Sequence, residues 1–423
     1  MTIPVEGRIL PFAPEIFRAL RHRNFLFYWT GQFVSLIGTW MQSVAQGWLV
    51  FRLSNSAFQL GVVGFCAFSP MLVFTLVGGV LADRVHRKTA LLWTQSLSMV
   101  QAGVLTYLTA SGSVRVWHVA ILALLLGTVN AFDVPIRQTF LFDLVGREDL
   151  PNGIALNSMA FNSARLVGPA IAGLILAEFG ETACFLLNAV SYLAVLVGLA
   201  LIRVGEKAPA PDAMSWTAGI REGIAYAWRT PRVRTILLLV AVSSIFGMSY
   251  SILMPAIARD VLGGGQRTLG FLMGAAGAGA VLGALSIARR RSTRRSGVIV
   301  AAAMTLFGAG LFAFSFSRTF WLSAALLVVI GGAMIVQMAT SNAFLQLVAP
   351  PDLRGRVVSL YALMFLGMAP FGSLLSGSLA KLWGTPVAVR LGGVVCIAAA
   401  LAFASRAPRL SAARESVSPD GAA

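Results

Sequence analysis

The sequence predicts an all-α membrane protein with twelve transmembrane helices, arranged as two pseudo-symmetric bundles of six. The chain has 423 residues, of which 57% are hydrophobic and only 12% are charged, whereas an average soluble domain is about 25% charged. Twelve apolar runs have roughly the 20 residues that a helix needs to cross a bilayer. Most of the 33 basic residues lie in alternate connections between these runs, a bias that is typical of cytoplasmic loops.

The twelve runs divide equally between the two halves of the chain. In the first half they are residues 25–51, 57–77, 89–110, 116–135, 153–177 and 181–202. In the second half they are residues 235–257, 269–288, 298–316, 320–341, 357–379 and 386–405. Each must be a helix, because a segment inside the bilayer has to satisfy its own backbone, and none shows the alternating polarity of a membrane β-barrel.

The longest hydrophilic interruption separates the two halves. It predicts a cytoplasmic linker at residues 203–234 with an amphipathic helix, between bundles at 25–202 and 235–405. Residues 1–24 and 406–423 are predicted to be cytoplasmic tails. A weak repeat supports the division, since Phe140-Leu141 and Phe344-Leu345 each follow the fourth run of their half.

The formal net charge of +17 does not indicate nucleic-acid binding. Both tails and every second connection are basic, which predicts a multi-pass protein of the inner, or plasma, membrane with both termini in the cytoplasm. The basic run Arg289–Arg295 lies between two apolar runs. It therefore favours contact with anionic membrane lipid over nucleic acid.

Residues for metal or covalent chemistry are sparse and scattered. The three cysteines lie in separate apolar runs, and the three histidines lie at helix ends. No metal-ligand motif and no nucleophile with a matching base occurs, so we expect neither a metal, nor a cofactor, nor an enzyme activity.

The connection between the second and third runs has the sequence GGVLADRVHRK. Its pattern of Gly79, Asp83, Arg84, Arg87 and Lys88 resembles the loop signature of the major facilitator superfamily. The resemblance implies a gate at the inner ends of the helices, where Asp83 binds the positive N-terminus of the eleventh helix. These charges have an alternative role, which is only to fix the topology.

A longer segment, Asp133 to Leu176, resembles the enterobactin exporter and macrolide efflux group of that superfamily. The opening segment Phe17 to Met41 resembles the same group. The matching positions are Asp133, Arg137, Leu144-Val145, Leu150, Asn152, Leu156, Ala164-Arg165, Gly168-Pro169 and Gly173. The resemblance covers the length of the chain and implies the major facilitator fold.

Two charges near the fourth and fifth runs are candidates for coupling. Arg165 lies about 16 Å into the fifth helix at 1.5 Å per residue, and a charge at that depth indicates a functional site. We expect it to bind an anionic substrate group or to pair with Asp133. Asp133 is the candidate for a proton-linked carboxylate, with a salt bridge to Arg137 or Arg84 as the alternative.

The fifth run also contains Gly168, Pro169 and Gly173, and the eighth run is rich in glycine. Small residues allow helices to approach closely. The family resemblance implies an antiporter motif at this contact, and ordinary close packing is the alternative.

The first, fourth, seventh and tenth helices are expected to line a central cavity. The lining candidates are Gln32, Trp40, Gln42, Gln46, Asn130, Ser243, Tyr250, Gln337 and Asn342. Such a mixed aromatic and polar lining favours bulky amphipathic molecules.

Together these features predict a secondary active transporter, a monomer that exports small amphipathic molecules by alternating access in exchange for protons. The substrates are expected to be drug-like or siderophore-like. Uptake and lipid flipping by the same fold are alternatives, and a non-transporting receptor is an alternative of another class. A receptor is expected to have a further soluble domain or long loop, which the sequence does not indicate.

Overall fold

A computed structural model of the protein describes residues 15–203, 216–248, 250–289 and 296–405, with the side chains of residues 16, 75–84 and 216–220 excepted. All regular elements in these ranges are helical. After a 3-10 turn at Glu15–Arg21 come α1 Arg23–Ser54, α2 Ala57–Arg84, α3 Arg87–Ala110 and a helical stretch Val116–Leu201. The second half contains α7 Pro231–Val261, α8 Gln266–Ala288, α9 Ser296–Phe314, α10 Phe320–Val348, α11 Arg354–Trp383 and α12 Thr385–Ala404.

The stretch Val116–Leu201 is three helices joined at two glycines. Gly146 has φ 72° and Gly180 has φ 75°, values that glycine adopts at little cost and other residues rarely adopt. The chain therefore turns at each glycine, which gives α4 at 116–145, α5 at 147–179 and α6 at 181–201. Helix α4 continues for ten residues beyond Pro135, where the apolar run was predicted to end.

Helices α7 and α11 each contain a π-helical turn near their middle. The turn in α7 is Ser243–Gly247, and the turn in α11 is Leu363–Gly367. The two turns meet, because Ser244 Oγ donates a hydrogen bond of 2.6 Å to the carbonyl oxygen of Phe365. A second π turn, Ile257–Val261, ends α7.

Within the described residues, eight helical stretches are long and apolar enough to cross a membrane, and one of them is the triple stretch Val116–Leu201. Helices α1 and α3 fall outside this set by composition. Both carry buried polar side chains, which are Gln32, Ser35 and Gln42 in α1 and Thr94, Gln95, Ser98 and Gln101 in α3. The protein interior therefore accounts for their polarity.

Helices α1–α6 form an N-terminal bundle and α7–α12 a C-terminal bundle. Close backbone approaches hold each bundle together. In the first bundle, a Cβ on Gly31 of α1 would lie 2.5 Å from the carbonyl oxygen of Ala194. In the second, a Cβ on Gly279 of α8 would lie 1.9 Å from that of Val328. We call the side where α1 begins and α12 ends the terminal face, and the other side the opposite face.

A linker helix, Trp216–Arg229, lies against the C-terminal bundle at the terminal face. Arg356 of α11 forms an ion pair with Glu222. The hydroxyl of Tyr226 donates a hydrogen bond of 3.4 Å to the carbonyl oxygen of Val348 at the end of α10. These contacts attach the linker helix to α10 and α11.

Candidate functional site

Arg165 lies where four helices from both bundles converge. Its guanidinium carbon is 5.7 Å from the centroid of the Trp40 ring of α1, and its Nη2 is 4.0 Å from Met334 Sδ of α10. Trp40 also meets Phe161 edge-on, with ring centroids 5.8 Å apart. Tyr250 of α7 is buried and interacts electrostatically with Arg165. We call these five residues the central site.

The position of Arg165 in α5 is near the middle of the membrane-spanning bundle. Eighteen residues separate it from the start of α5 at residue 147, which corresponds to about 27 Å of helix. A cation over an aromatic face within about 6 Å gains a modest attraction. That attraction does not replace a counter-ion, and within the described residues Arg165 has no carboxylate partner. The central site therefore offers a positive charge to an incoming group.

The pairing of Arg165 with Asp133, one of the two alternatives predicted from the sequence, is not the arrangement that the structure shows. Asp133 is 1% exposed and lies inside the N-terminal bundle. Its Oδ1 accepts hydrogen bonds from Thr94 Oγ1 at 2.6 Å and Gln95 Nε2 at 2.8 Å. Its Oδ2 forms an ion pair with Arg137, one turn later in α4. The carboxylate is thus satisfied locally by α3 and α4.

Two glycine contacts fix the position of Arg165. A Cβ on Gly277 of α8 would lie 2.6 Å from the carbonyl oxygen of Arg165, and a Cβ on Gly168 would lie 2.6 Å from Trp40 Cβ. Both distances are below any ordinary contact, so only glycine allows α5 to approach α8 and α1 this closely. Further along α5, Gly173 faces Gly270 of α8 in the same manner. Pro169 also belongs to this contact, since a Cβ on Gly270 would lie 2.5 Å from its carbonyl oxygen.

The other candidates for a cavity lining occupy different environments. Gln46, Asn130 and Asn342 are half-buried. Gln32, Ser243 and Gln337 are almost fully buried, and Ser243 Oγ lies 3.4 Å from Gln337 Oε1.

Gln42 is placed inside the N-terminal bundle and not on a cavity surface. Its Nε2 donates to Gln101 Oε1 at 3.1 Å, and its Oε1 accepts from Asn188 Nδ2 at 2.7 Å. Both partners belong to the same bundle, one on α3 and the other on α6. A buried amide needs internal hydrogen-bond partners. Gln101 and Asn188 supply them, and this holds Gln42 inside the bundle and away from a cavity surface.

The motif between α2 and α3 lies at the terminal face. Arg87 Nη1 binds Asp143 Oδ2 of α4 at 2.7 Å, and Lys88 Nζ donates to the carbonyl oxygen of Ile202 at 2.7 Å. The side chains of Gly79, Asp83 and Arg84 lie outside the described residues, so the predicted contact of Asp83 with α11 stays a prediction. The two described basic residues connect α3 to α4 and α6.

The described contacts between the two bundles extend from their middle to the opposite face. Gly61 of α2 meets Gly377 of α11, and a Cβ on Gly61 would lie 3.0 Å from the Cα of Gly377. Arg267 of α8 forms an ion pair with Glu178 of α5, and Arg259 of α7 binds Asn55 beyond α1. These contacts close the opposite face in this structure.

Phe161, Thr94 and Gln95 are not among the site residues predicted from the sequence. For Thr94 and Gln95 a signal existed, because two adjacent polar residues within an apolar run predict a polar partner such as Asp133. For Phe161 no signal existed, since one phenylalanine among many apolar residues does not indicate where it faces.

Comparisons with known proteins show what this arrangement is similar to. Residues 11–420 match the family model described as transmembrane secretion effector. The multidrug efflux pump Tap of Mycolicibacterium fortuitum is 29% identical over 358 residues, which cover 82% of this chain and 87% of Tap. The staphyloferrin A transporter of Staphylococcus aureus is 27% identical over 390 residues, covering 91% of this chain and 97% of that protein.

The fold is shared with solved transporter structures. A bacterial homologue of the human lysosomal transporter Spinster, in an inward-facing and occupied conformation, superimposes with a TM-score of 0.71. The sequences are 13% identical, and the match covers 94% of this chain and 98% of the other. This similarity supports the twelve-helix, two-bundle architecture.

Proposed function

The chain belongs to the transmembrane secretion effector family of the major facilitator superfamily, and on that premise we propose that it exports small amphipathic molecules that carry an anionic group. Membership confirms the predicted fold, the resemblance and the transporter class, and it places the protein among transporters and not among enzymes. The names of the relatives favour efflux of drug-like or siderophore-like molecules. A monomer in the inner membrane, with both termini in the cytoplasm, is part of the proposal.

The observation that carries the proposal is the positive charge of Arg165, which has no carboxylate partner within the described residues. The guanidinium lies between Trp40 of the N-terminal bundle and Met334 of the C-terminal bundle. Aromatic and thioether side chains provide an adaptable apolar surface, and the guanidinium is suited to a carboxylate or a similar planar anion. A substrate with an apolar body and an acidic group satisfies both parts of the central site.

Proton coupling is assigned to Asp133 in this proposal. The carboxylate is enclosed by Thr94, Gln95 and Arg137 within the N-terminal bundle. Protonation of Asp133 neutralises one partner of the pair and leaves Arg137 as an uncompensated buried cation, which is unfavourable in a low dielectric. The two protonation states therefore favour different packings of α3 against α4, which is the requirement for a coupled carrier.

The gate role of the motif between α2 and α3 also belongs to the proposal. Arg87 and Lys88 connect the terminal-face ends of α3, α4 and α6. Under the proposed topology this face is cytoplasmic. We assign Gly79, Asp83 and Arg84 to the closure of this cytoplasmic gate against α11, as the family resemblance implies. The closure alternates with that of the opposite face, as alternating access requires.

The test is transport into inside-out vesicles with an acidic lumen. Two fluorescent dyes of equal size are compared, one with a free carboxylate and the other as its methyl ester. We expect accumulation of the carboxylate dye to depend on the pH gradient. Arg165→Ala should reduce this transport about tenfold, the equivalent of about 1.4 kcal/mol, and affect the ester less. Asp133→Asn should abolish the dependence on the gradient.

Arg23→Ala is the matched control. The guanidinium carbon of Arg23 also lies over an aromatic ring, 5.4 Å from the centroid of Phe27, but Arg23 is at the terminal face, where α1 begins. It should transport both dyes at the wild-type rate. Equal losses for both dyes in Arg165→Ala would show that Arg165 supports the fold and does not bind an anion. Wild-type gradient dependence in Asp133→Asn would remove Asp133 from the coupling mechanism.

A further inference from the structure

A cavity of about 540 Å³ opens at the opposite face, on the seam between the two bundles. The N-terminal bundle contributes Phe51 and the connection Asn55–Ala57. The C-terminal bundle contributes the end of α7, the residue Arg318, and the connection between α11 and α12. The central site is not part of this lining, so the cavity is a separate compartment that we call the seam pocket.

The lining of the seam pocket is electropositive. Arg318 and Lys381 both line it, and within the described residues neither makes an ion pair. In the part of the chain that the structure describes, Arg318 donates only to backbone carbonyl oxygens of its own turn, at 3.2 Å for Ser317 and 3.5 Å for Ser315. Lys381 lies 5.3 Å from the centroid of the Phe58 ring of α2. The one lining carboxylate, Asp260, already has a basic neighbour, with Arg259 Nε 3.5 Å from its Oδ1.

The start of α12 adds to this positive potential. Gly384, Thr385 and Pro386 line the seam pocket at the N-terminus of a 20-residue helix. The N-terminus of a helix carries a partial positive charge. Of the three lining residues only Thr385 can offer its backbone N–H, because that of Gly384 donates to the carbonyl oxygen of Ala380 and proline has none. Further basic charge lies nearby, since Arg390 in the second turn of α12 binds Ser315 Oγ at 3.3 Å. The apolar wall of the pocket includes Phe51, Ala57 and Val261.

The seam pocket exists only while the opposite face is closed. Its walls belong to two bundles that must separate at this face for the carrier to open there. A ligand that contacts both walls therefore binds the closed form more tightly than the open form. By linkage, such a ligand shifts the population toward the closed form in proportion to that difference in affinity.

We propose that the seam pocket is a binding site for a small organic anion with an aromatic or aliphatic body, and that its occupation holds the opposite face closed. The volume is within the range of pockets for drug-sized ligands. Under the proposed function the opposite face is external, so the inference rests on that function for its orientation. An acidic molecule that accumulates outside would then slow the carrier from the product side.

The experiment measures the width of the opposite face with and without a defined anion. Spin labels are placed at Ser113→Cys in the N-terminal bundle and Gly265→Cys in the C-terminal bundle, after Cys66, Cys184 and Cys396 have been replaced by alanine. Ser113 is exposed, and nothing lies within 4 Å of a Cβ on Gly265. The probe is isophthalate, and the isosteric neutral isophthalamide is its control.

We expect isophthalate to increase the short-distance population at least threefold at saturation, and isophthalamide to leave it unchanged. Arg318→Gln should raise the isophthalate concentration that gives half of this effect about tenfold. Arg115→Gln is the matched control, because it removes an exposed charge from the same face outside the pocket, and it should respond like the wild type.

Equal responses of Arg318→Gln and wild type, or equal effects of the diamide and the dianion, would overturn the proposal. Equal losses in Arg318→Gln and Arg115→Gln would assign the effect to general surface charge and would also overturn it. Transport of the carboxylate dye without isophthalate tests the proposed function separately, since Arg318 has no part in the central site. If isophthalate has no effect while transport of the dye is normal, the proposal for the seam pocket is overturned and the proposed function stands.

Discussion

Asp149 lies in the first turn of α5, before the apolar run that begins at residue 153, and connects α5 to the N-terminal 3-10 turn at the terminal face. His22 Nε2 lies 2.6 Å from Asp149 Oδ2, and Arg18 forms an ion pair with the other carboxylate oxygen. Partial burial alone raises the pKa of Asp149, but the hydrogen bond from His22 and the charge of Arg18 outweigh it and hold the pKa below its usual range. The backbone amide of Ala19 adds a 2.8 Å hydrogen bond to Asn152 Oδ1.

This lowered pKa predicts an acid-side loss of stability. A carboxyl group with a depressed folded pKa stabilises the fold fully above its unfolded pKa of about 3.9. The contribution disappears as the pH falls through the folded pKa. Because Arg18 is half exposed, solvent screening limits the effect to about 1 kcal/mol or less. Thermal unfolding in detergent from pH 6 to pH 2.5 should show Asp149→Asn less stable than wild type at pH 6 and nearly equal to it at the acid end.

Glu148→Gln is the control for this pH series, since Glu148 is adjacent to Asp149 and its backbone carbonyl, not its carboxylate, accepts the bond from Arg18. It should follow the wild type at every pH. A constant difference between wild type and Asp149→Asn down to pH 2.5 would contradict the assignment to this carboxylate.

At the scale of helices, the contact of α5 with α8 depends on glycine on both sides. A Cβ on Gly270 would lie 2.5 Å from the Gly173 Cα and 2.5 Å from the carbonyl oxygen of Pro169. Gly270→Val should therefore separate the helices and destabilise the protein by about 1–3 kcal/mol, the usual cost of overpacking. Measurements of the unfolding temperature and of transport should show a lower unfolding temperature together with a loss of transport.

Gly103→Val in α3 is the matched substitution, because nothing lies within 4 Å of a Cβ on Gly103. It should fold and transport like the wild type. Equal effects of the two substitutions would mean that valine disturbs the helices themselves, and not the contact between α5 and α8.

The helices also show what the sequence can and cannot predict. Hydropathy locates the spans because the bilayer acts on every residue in a run. It places the end of α4 at Pro135, but the helix continues to residue 145, since a proline at this position does not interrupt a helix supported by its neighbours. The partners of Gln42 could not be predicted, because they depend on how α3 and α6 rotate about their axes. The π turns in α7 and α11 have no distinct composition, so the pattern of apolar residues does not reveal them.

For the whole molecule, the closed opposite face depends in part on the exposed ion pair between Glu178 and Arg267. Both side chains are more than half exposed, so the pair contributes at most about 1 kcal/mol. Glu178→Arg replaces attraction by repulsion across the seam. Spin labels at Ser113→Cys and Gly265→Cys should show an open population increased up to about fivefold.

The exchanged pair Glu178→Arg with Arg267→Glu restores opposite charges and should return the distribution to that of the wild type. Glu181→Arg is a further control, since Glu181 pairs with Arg52 inside the N-terminal bundle. A wild-type distribution in Glu178→Arg alone would show that the glycine contacts close this face without help from the ion pair.

The whole architecture follows from the sequence more completely than the central site does. Twelve spans and two halves result from composition and from the sign of charge in alternate connections, which act over many residues at once. Arg165 could be identified alone, because a buried charge is rare. Its neighbours Trp40, Tyr250 and Met334 converge only through the packing of four helices, which no single stretch of sequence specifies.

The π turn Leu363–Gly367 in α11 has a consequence for the angular phase of the residues that follow it. Each residue of an α-helix advances by about 100°, and a π turn accommodates one extra residue in a single turn. Side chains beyond Gly367 are therefore rotated by about one residue step relative to an uninterrupted helix. Gly377 faces Gly61 of α2 in that shifted phase, so the extra residue in the turn acts as an angular setting that points the second half of α11 at the N-terminal bundle.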